Sequence, residues 1–231
     1  MENSNKNIQK KRMMSYFISA TNGIIEKEGM EAVTIRKVAT KAGYNSATLY
    51  NYFDNLKHLI FFSSIRHLSD YAKELPLYLK QAKNPLDECL KIWECFSKHS
   101  YANPTVYQLI FFGGFSSKTV NNSIETYYDI FADEISEEII DYMPMLLEDN
   151  LYERDYISLK KALSETNITE EDIRSINEMN ILIYRGIMTD MKTNITNISV
   201  EDAVKKTLKY IIRTLKAYDV DISCLDVEKY N

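Results

Sequence analysis

Residues 34–53, TIRKVATKAGYNSATLYNYF, form the stretch whose reading decides the fold. Ile35, Val38, Ala39 and Ala42 fall at i, i+3, i+4 and i+7, one apolar stripe on a short helix. Thr34 stands just ahead of that stripe, where its hydroxyl can accept an orphan N–H of the first turn. Gly43 follows the last apolar position, and glycine ends a helix in the left-handed conformation at least cost. Asn45 is placed to cap a second helix, with Leu49 and Phe53 one turn apart and pointing back onto the first. The other face of that helix carries Ser46, Thr48, Tyr50, Asn51 and Tyr52, small or polar side chains with no acid among them. Two short helices joined by a glycine turn, the second with a polar, non-acidic face, predict a helix-turn-helix.

A two-helix corner in any all-α protein can show the same pattern, so the order of residues matters more. The run from Thr34 to Phe53, preceded by Gly29 and followed by Leu56 and Leu59, resembles the DNA-binding domain of the tetracycline-repressor (TetR) family. The resemblance covers roughly residues 10–60; beyond them it is one of length and helical layout only. It implies a DNA-binding regulator with an effector site in the middle of the chain. It also implies a homodimer whose last two helices pair with those of a second subunit.

The surrounding composition fits. At 231 residues the chain suits one or two domains and can bury a full core. Glycine and proline are few, and no run alternates like a strand, so the expected fold class is all-α. The expected architecture is a three-helix head with the helix-turn-helix over residues 1–54, and a larger helical effector-binding and dimerisation domain over residues 55–231. No stretch of 18 apolar residues occurs, and the N-terminus lacks the apolar core of a signal peptide, so a cytoplasmic protein is expected. Cys89, Cys95 and Cys224 have no ligand-like spacing, and His58, His67 and His99 are dispersed. No metal site and no cofactor are expected.

Charge is uneven. Residues 1–60 hold nine Lys/Arg and five Asp/Glu, or +4, which leaves −5 − 4 = −9 for the rest. A basic end coinciding with the helix-turn-helix points to nucleic acid as partner of that end. Arg36 and Lys37 lie opposite the apolar stripe of the first motif helix, and an arginine can grip guanine O6 and N7 together. Thr34, Asn45 and Ser46 stand at helix starts, where anions are attracted. By resemblance, Tyr44 and Thr48 contact bases, while Tyr50 and Tyr52 contact phosphate, with Asn51 between them. The family's usual phosphate-gripping lysine falls at Leu56, and Lys57 is the nearest substitute. Lys6, Lys10, Lys11 and Arg12 offer accessory phosphate contacts.

The other helices are expected at about 8–28, 54–75, 85–100, 106–112, 121–142, 151–164, 170–192 and 200–218. Pro76 is expected to stop or bend the second of these, Pro144 to break the fifth, and residues 1–7 to lie outside the first. Thr169 and Ser199 each precede an acid by three residues, a variant of the capping box. Between residues 93 and 131 stand ten aromatics in 39 positions, about twice the chain average of 12%. Trp93, Phe96, Tyr107, Phe111, Phe112, Phe115, Tyr127, Tyr128 and Phe131, with Tyr184, are candidates for a pocket taking a hydrophobic small molecule. A large helical core explains the same residues one by one. Val204, Leu208, Ile211 and Leu215 step like a coiled-coil seam, and Ile183 and Ile187 lie on a matching stripe. These are the dimer candidates.

The expected function is a repressor that binds a palindromic operator as a homodimer and is released by a hydrophobic ligand. The alternative is a regulator without a small effector, controlled by a protein partner or acting as an activator. An all-α enzyme is disfavoured by the absence of a nucleophile motif or phosphate loop.

Overall fold

The computed structural model describes residues 2–113, 117–131, 137–148 and 150–226. Among them there is no strand, and no helix is long and apolar enough to cross a membrane. The chain forms two compact units, Met1–Arg66 with Asn122–Glu134, and His67–Asn121 with Ile135–Asn231.

The first unit is built on α1 (Glu2–Glu28), which packs against α2 (Ile35–Ala42) and α4 (Leu56–Ser64). Between α2 and α4 lies α3 (Ser46–Leu49). Phe17, fully buried, meets Phe53 edge-on with ring centroids 6.3 Å apart. Val38, Ala39, Leu49 and Leu59 close around them. Complete burial of such a side chain contributes roughly 2 kcal/mol, which explains why so small a head can hold its shape. Along α1, Ala20 and Ile24 are buried with Phe17, and in the preceding turn Met14 is buried while Met13 is only partly so. α1 also starts at Glu2, six residues before the expected position. The C-terminal part of α8 (Ser117–Ile130) belongs to this unit, where Lys11 pairs with Asp129 at 2.6 Å and Phe62 meets Tyr127.

One long helix was expected after the head, and there are two. α4 closes at Ile65, and α5 (Arg66–Leu79) follows at once. Pro76 does not stop α5 but sits inside its last turn. Proline removes a donor to residue i−4 and leaves the bonds ahead of it intact, so Lys80 N–H still reaches the Pro76 carbonyl at 3.1 Å.

In the second unit α6 (Pro85–Ala102) packs on α10 (Leu151–Ala162) and on α12 (Val200–Ala217), while α11 (Glu170–Thr193) lies against α7 (Pro104–Phe112), α10 and α12. The expected helix over 121–142 is shorter: α8 ends at Ile130, a 3-10 segment spans Glu137–Tyr142, and Pro144 opens α9 (Met143–Leu146) instead of breaking a helix. Proline is tolerated in a first turn because the N–H it lacks has no partner there. Thr169 and Ser199 cap α11 and α12 as expected: each hydroxyl accepts the acid's backbone N–H at 3.1 Å and donates to the same acid's carboxylate.

Tyr101 of α6 and Thr207 of α12 meet at 2.6 Å in the core. Thr207 already donates to the Ala203 carbonyl, so Tyr101 is the donor of the pair. Tyr101→Phe leaves Thr207 with its other partner and is expected to cost about 1 kcal/mol. Thr207→Val strands the buried phenol and is expected to cost about twice as much. Urea midpoints of the two variants check the order, and the reverse order contradicts this donor assignment.

Candidate nucleic-acid interface and effector cavity

The helix-turn-helix forms as the sequence requires. Thr34 accepts the Lys37 N–H at 3.3 Å, Gly43 sits at φ 80°, and Asn45 accepts the Thr48 N–H at 2.8 Å. α3 is only four residues long, and the chain leaves it through i→i+3 bonds from Asn51 to Thr48 and from Tyr52 to Leu49. That tight exit presents Tyr50, the most exposed of the motif's tyrosines at 56%. Thr34, Arg36, Lys37, Asn45, Asn51 and Lys57 are exposed, whereas Ser46, Thr48 and Tyr52 are half-buried.

Several of these side chains already have work within the head. Lys37 Nζ pairs with Glu28 at 2.8 Å, which holds the Glu28 carboxyl below its usual range. Thr48 Oγ1 donates to the capping oxygen of Asn45 at 3.0 Å. Tyr44 and Tyr52 flank Phe17, with centroids 5.6 and 6.0 Å away. Lys11 pairs with Asp129, while Arg12, exposed, donates from Nε to the Tyr16 hydroxyl and stays a surface cation. Arg36, Lys37 and Lys41 rim a depression with Thr34, Thr40 and Glu28, a net basic surface at the start of α2 in which Glu28 offsets Lys37.

In the second unit, five of the ten candidate pocket aromatics gather: Trp93, Phe96, Tyr107, Phe111 and Tyr184, linked by centroid distances of 5.4–6.3 Å. Phe112 instead lies under the Arg185 guanidinium. Tyr127, Tyr128 and Phe131 cluster in the first unit, and Phe115 lies outside the described residues. Beside the aromatic cluster is a narrow cavity of about 20 Å3, room for about one water molecule. Trp93 and Phe96 line it, joined by Tyr71, Ile92, Met145, Leu151, Arg154, Asp155 and Ser158.

Arg154 and Asp155 are 3% and 5% exposed. The guanidinium faces the rings of Tyr71, Phe96 and Phe111 at 5.5–5.8 Å and donates from Nη1 to the Leu146 carbonyl. Trp93 Nε1 donates to Asp155 Oδ1 at 2.7 Å. Among the described residues, Arg154 Nη2 and Asp155 Oδ2 have no hydrogen-bond partner. Burial pushes the Asp155 carboxyl up to about 7, against the opposing pull of the Trp93 indole N–H and of the Asn180 side chain.

Residues 17–61 match the family model for bacterial regulatory proteins of the tetR family. By its head, the chain belongs to the TetR family. The fold of the whole agrees: a Thermus thermophilus FadR, a TetR-family transcriptional repressor solved in complex with lauroyl-CoA, superposes with a TM-score of 0.59 at 12% identity, covering 87% of this chain and 94% of that one. TetR regulators from Rhodococcus sp. RHA1 and Mesorhizobium loti align at 17% and 16% identity, each with a TM-score of 0.45, over 93% and 91% of this chain and 98% and 97% of theirs. No curated protein matches the sequence.

The dimer candidates of this TetR-family chain are mostly committed to its own core. Ile187, Val204, Leu208, Ile211 and Leu215 are buried, and Ile183 is half-buried. A heptad-like stripe buries an apolar face and does not say against which chain. The stripe of α11 that stays uncovered is Met179, Leu182, Ile183 and Gly186, with Leu182 53% exposed.

The raised Asp155 carboxyl has a consequence for stability. The folded protein keeps this proton up to about pH 7, while the unfolded chain releases it near pH 4. The contribution is therefore fully present below pH ~4 and is lost as the pH rises towards 7. Asp155→Asn keeps an acceptor for the indole and removes the titration. Between pH 5 and 8 the variant is expected to gain about 2–3 kcal/mol on the wild type in urea unfolding. A pH-independent difference contradicts a raised carboxyl.

Proposed function

We propose that this TetR-family transcriptional regulator is a repressor that binds a palindromic operator as a homodimer and releases it when a small organic molecule occupies its helical body. The observation that carries the reading is the coincidence of the family match over residues 17–61 with an exposed polar and basic face on α2 and α3. Arg36 reads a base edge. Tyr50, Tyr52 and Lys57 position the head on phosphates, and Thr34, Tyr44, Asn45, Ser46, Thr48 and Asn51 complete the contact surface. Lys37 exchanges Glu28 for phosphate. Residues 1–54 serve DNA binding and residues 55–231 serve effector binding and dimerisation; this functional division differs from the compact units, which cut at Arg66.

Two heads on a two-fold axis fit half-sites one helical turn (~34 Å) or a multiple apart. The second subunit packs on α11 through Met179, Leu182, Ile183 and Gly186, a stripe at i, i+3, i+4 and i+7 whose glycine has open space around it. A protein of the same fold has been solved with lauroyl-CoA, which supports an organic effector. The effector acts through α7. Phe111 faces Arg154, and the neighbouring Tyr107 donates to the His67 carbonyl at 2.9 Å, at the start of α5. A shift of α7 therefore pulls on the junction where α5 takes over from α4, and the spacing of the heads changes. Release requires that the ligand bind the two states with different affinity.

Selection of genomic fragments across a salt series tests the DNA reading. Arg36→Ala is expected to relax base preference at one position by about 1–3 kcal/mol. Tyr50→Phe is expected to weaken all fragments alike. No selected fragment, or variants indistinguishable from the wild type, contradicts it. For the dimer, Leu182→Glu is expected to yield a folded monomer in sedimentation, and an unchanged dimer contradicts the α11 interface.

A further inference from the structure

We propose that Arg12 and Tyr16 of α1 form a second DNA contact, gripping one backbone phosphate beside the half-site that the helix-turn-helix reads. The proposal rests on the reading of the head as a DNA-binding unit and extends its contact surface from the motif onto α1. Three observations support it.

The first is position. Arg12, Tyr16, Ser19 and Gly23 fall at i, i+4, i+7 and i+11, one narrow stripe of α1. Arg12, Tyr16 and Ser19 are exposed. Two exposed residues of the helix-turn-helix lie against this stripe. The Tyr44 ring stacks on Tyr16, with centroids 6.4 Å apart and 22° between the planes. Lys41 Nζ lies so close to α1 that a Cβ on Gly23 would stand 2.5 Å from it. Tyr44 immediately precedes Asn45, the cap of α3, so the stripe continues the surface at the start of α3.

The second is chemistry. Arg12 Nε donates to the Tyr16 hydroxyl at 3.0 Å. A hydroxyl that accepts still has its own proton to donate, and the guanidinium keeps its two Nη groups. A fixed positive charge and two kinds of donor therefore meet at one exposed point. That combination suits a phosphate, whose oxygens only accept. Such a contact positions the protein and reads no base.

The third is order. A free arginine loses rotamer entropy when it grips a ligand. Arg12 is already held by a hydroxyl whose ring is stacked on the motif, so less of that cost remains. The neighbouring Lys11 is engaged by Asp129 at 2.6 Å, which leaves Arg12 as the phosphate-binding cation of this turn.

Full-length wild type, Arg12→Gln and Tyr16→Phe are bound to the selected operator fragment across a salt series, with Arg36→Ala alongside. For Arg12→Gln the fall of log K with log salt is expected to be less steep by about 0.9 per subunit, with base preference unchanged. Tyr16→Phe keeps the ring on Tyr44 and removes the hydroxyl, and it is expected to weaken all fragments alike. Operator ethylated at single phosphates gives a second readout. One phosphate per half-site is expected to block the wild type when ethylated and to make no difference to Arg12→Gln. An unchanged salt slope, an unchanged set of blocking phosphates or an altered base preference in Arg12→Gln overturns the proposal. If Arg36→Ala changes base preference while Arg12→Gln behaves as wild type, the motif alone contacts DNA and only this proposal falls. If the wild type selects no fragment, the DNA reading falls and takes this contact with it.

Discussion

A guanidinium that cannot be neutralised has been buried at the centre of the second unit, and much of that unit is arranged to accommodate it. Tyr71 from α5, Phe96 from α6 and Phe111 from α7 each turn a ring towards Arg154 of α10. The same rings belong to the aromatic cluster that ties these helices together, so the packing of four helices and the solvation of one charge are a single problem. Such an arrangement is sensitive by construction. A low-dielectric interior amplifies any change in the charge beside Arg154, and the helices that hold the rings must answer it.

The head faces the opposite constraint. Its core is small and mainly apolar, built on Phe17, Val38, Leu49, Phe53 and Leu59, with the buried Thr21 and Ser64 hydroxyls donating to the Phe17 and Ile60 carbonyls of their own helices. α3 gains nothing from length. Its position is fixed by the Asn45 cap, by Leu49 and by the short-range bonds of its exit. A four-residue helix held in this way can present Tyr50 and Asn51 rigidly without burying them.

What could be read from the sequence was what obeys local rules. Thr34, Gly43, Asn45, Thr169 and Ser199 act as caps or terminators because those roles depend on a few neighbouring backbone groups. The break at Ile65 and the tolerance of Pro76 depend on tertiary packing, which no local pattern carries. The seam over Val204 to Leu215 was legible as a buried face, but whether a face is buried by its own chain or by a partner is not a property of period. Arg154 and Asp155 went unnoticed because two adjacent charges read as a solvated surface. A signal was present: Leu151, Arg154, Asp155, Ser158 and Leu159 fall at i, i+3, i+4, i+7 and i+8, so the charges lie on the inward stripe of α10.

The account stands or falls on coupling between ligand binding and DNA binding, and linkage measures it directly. The operator dissociation constant is determined with and without a saturating small organic ligand, and the ligand's own dissociation constant is determined with and without operator. The expected result is a weakening of tenfold or more in each direction by the same factor, since binding linkage is reciprocal. Operator affinity unchanged at saturating ligand contradicts the account.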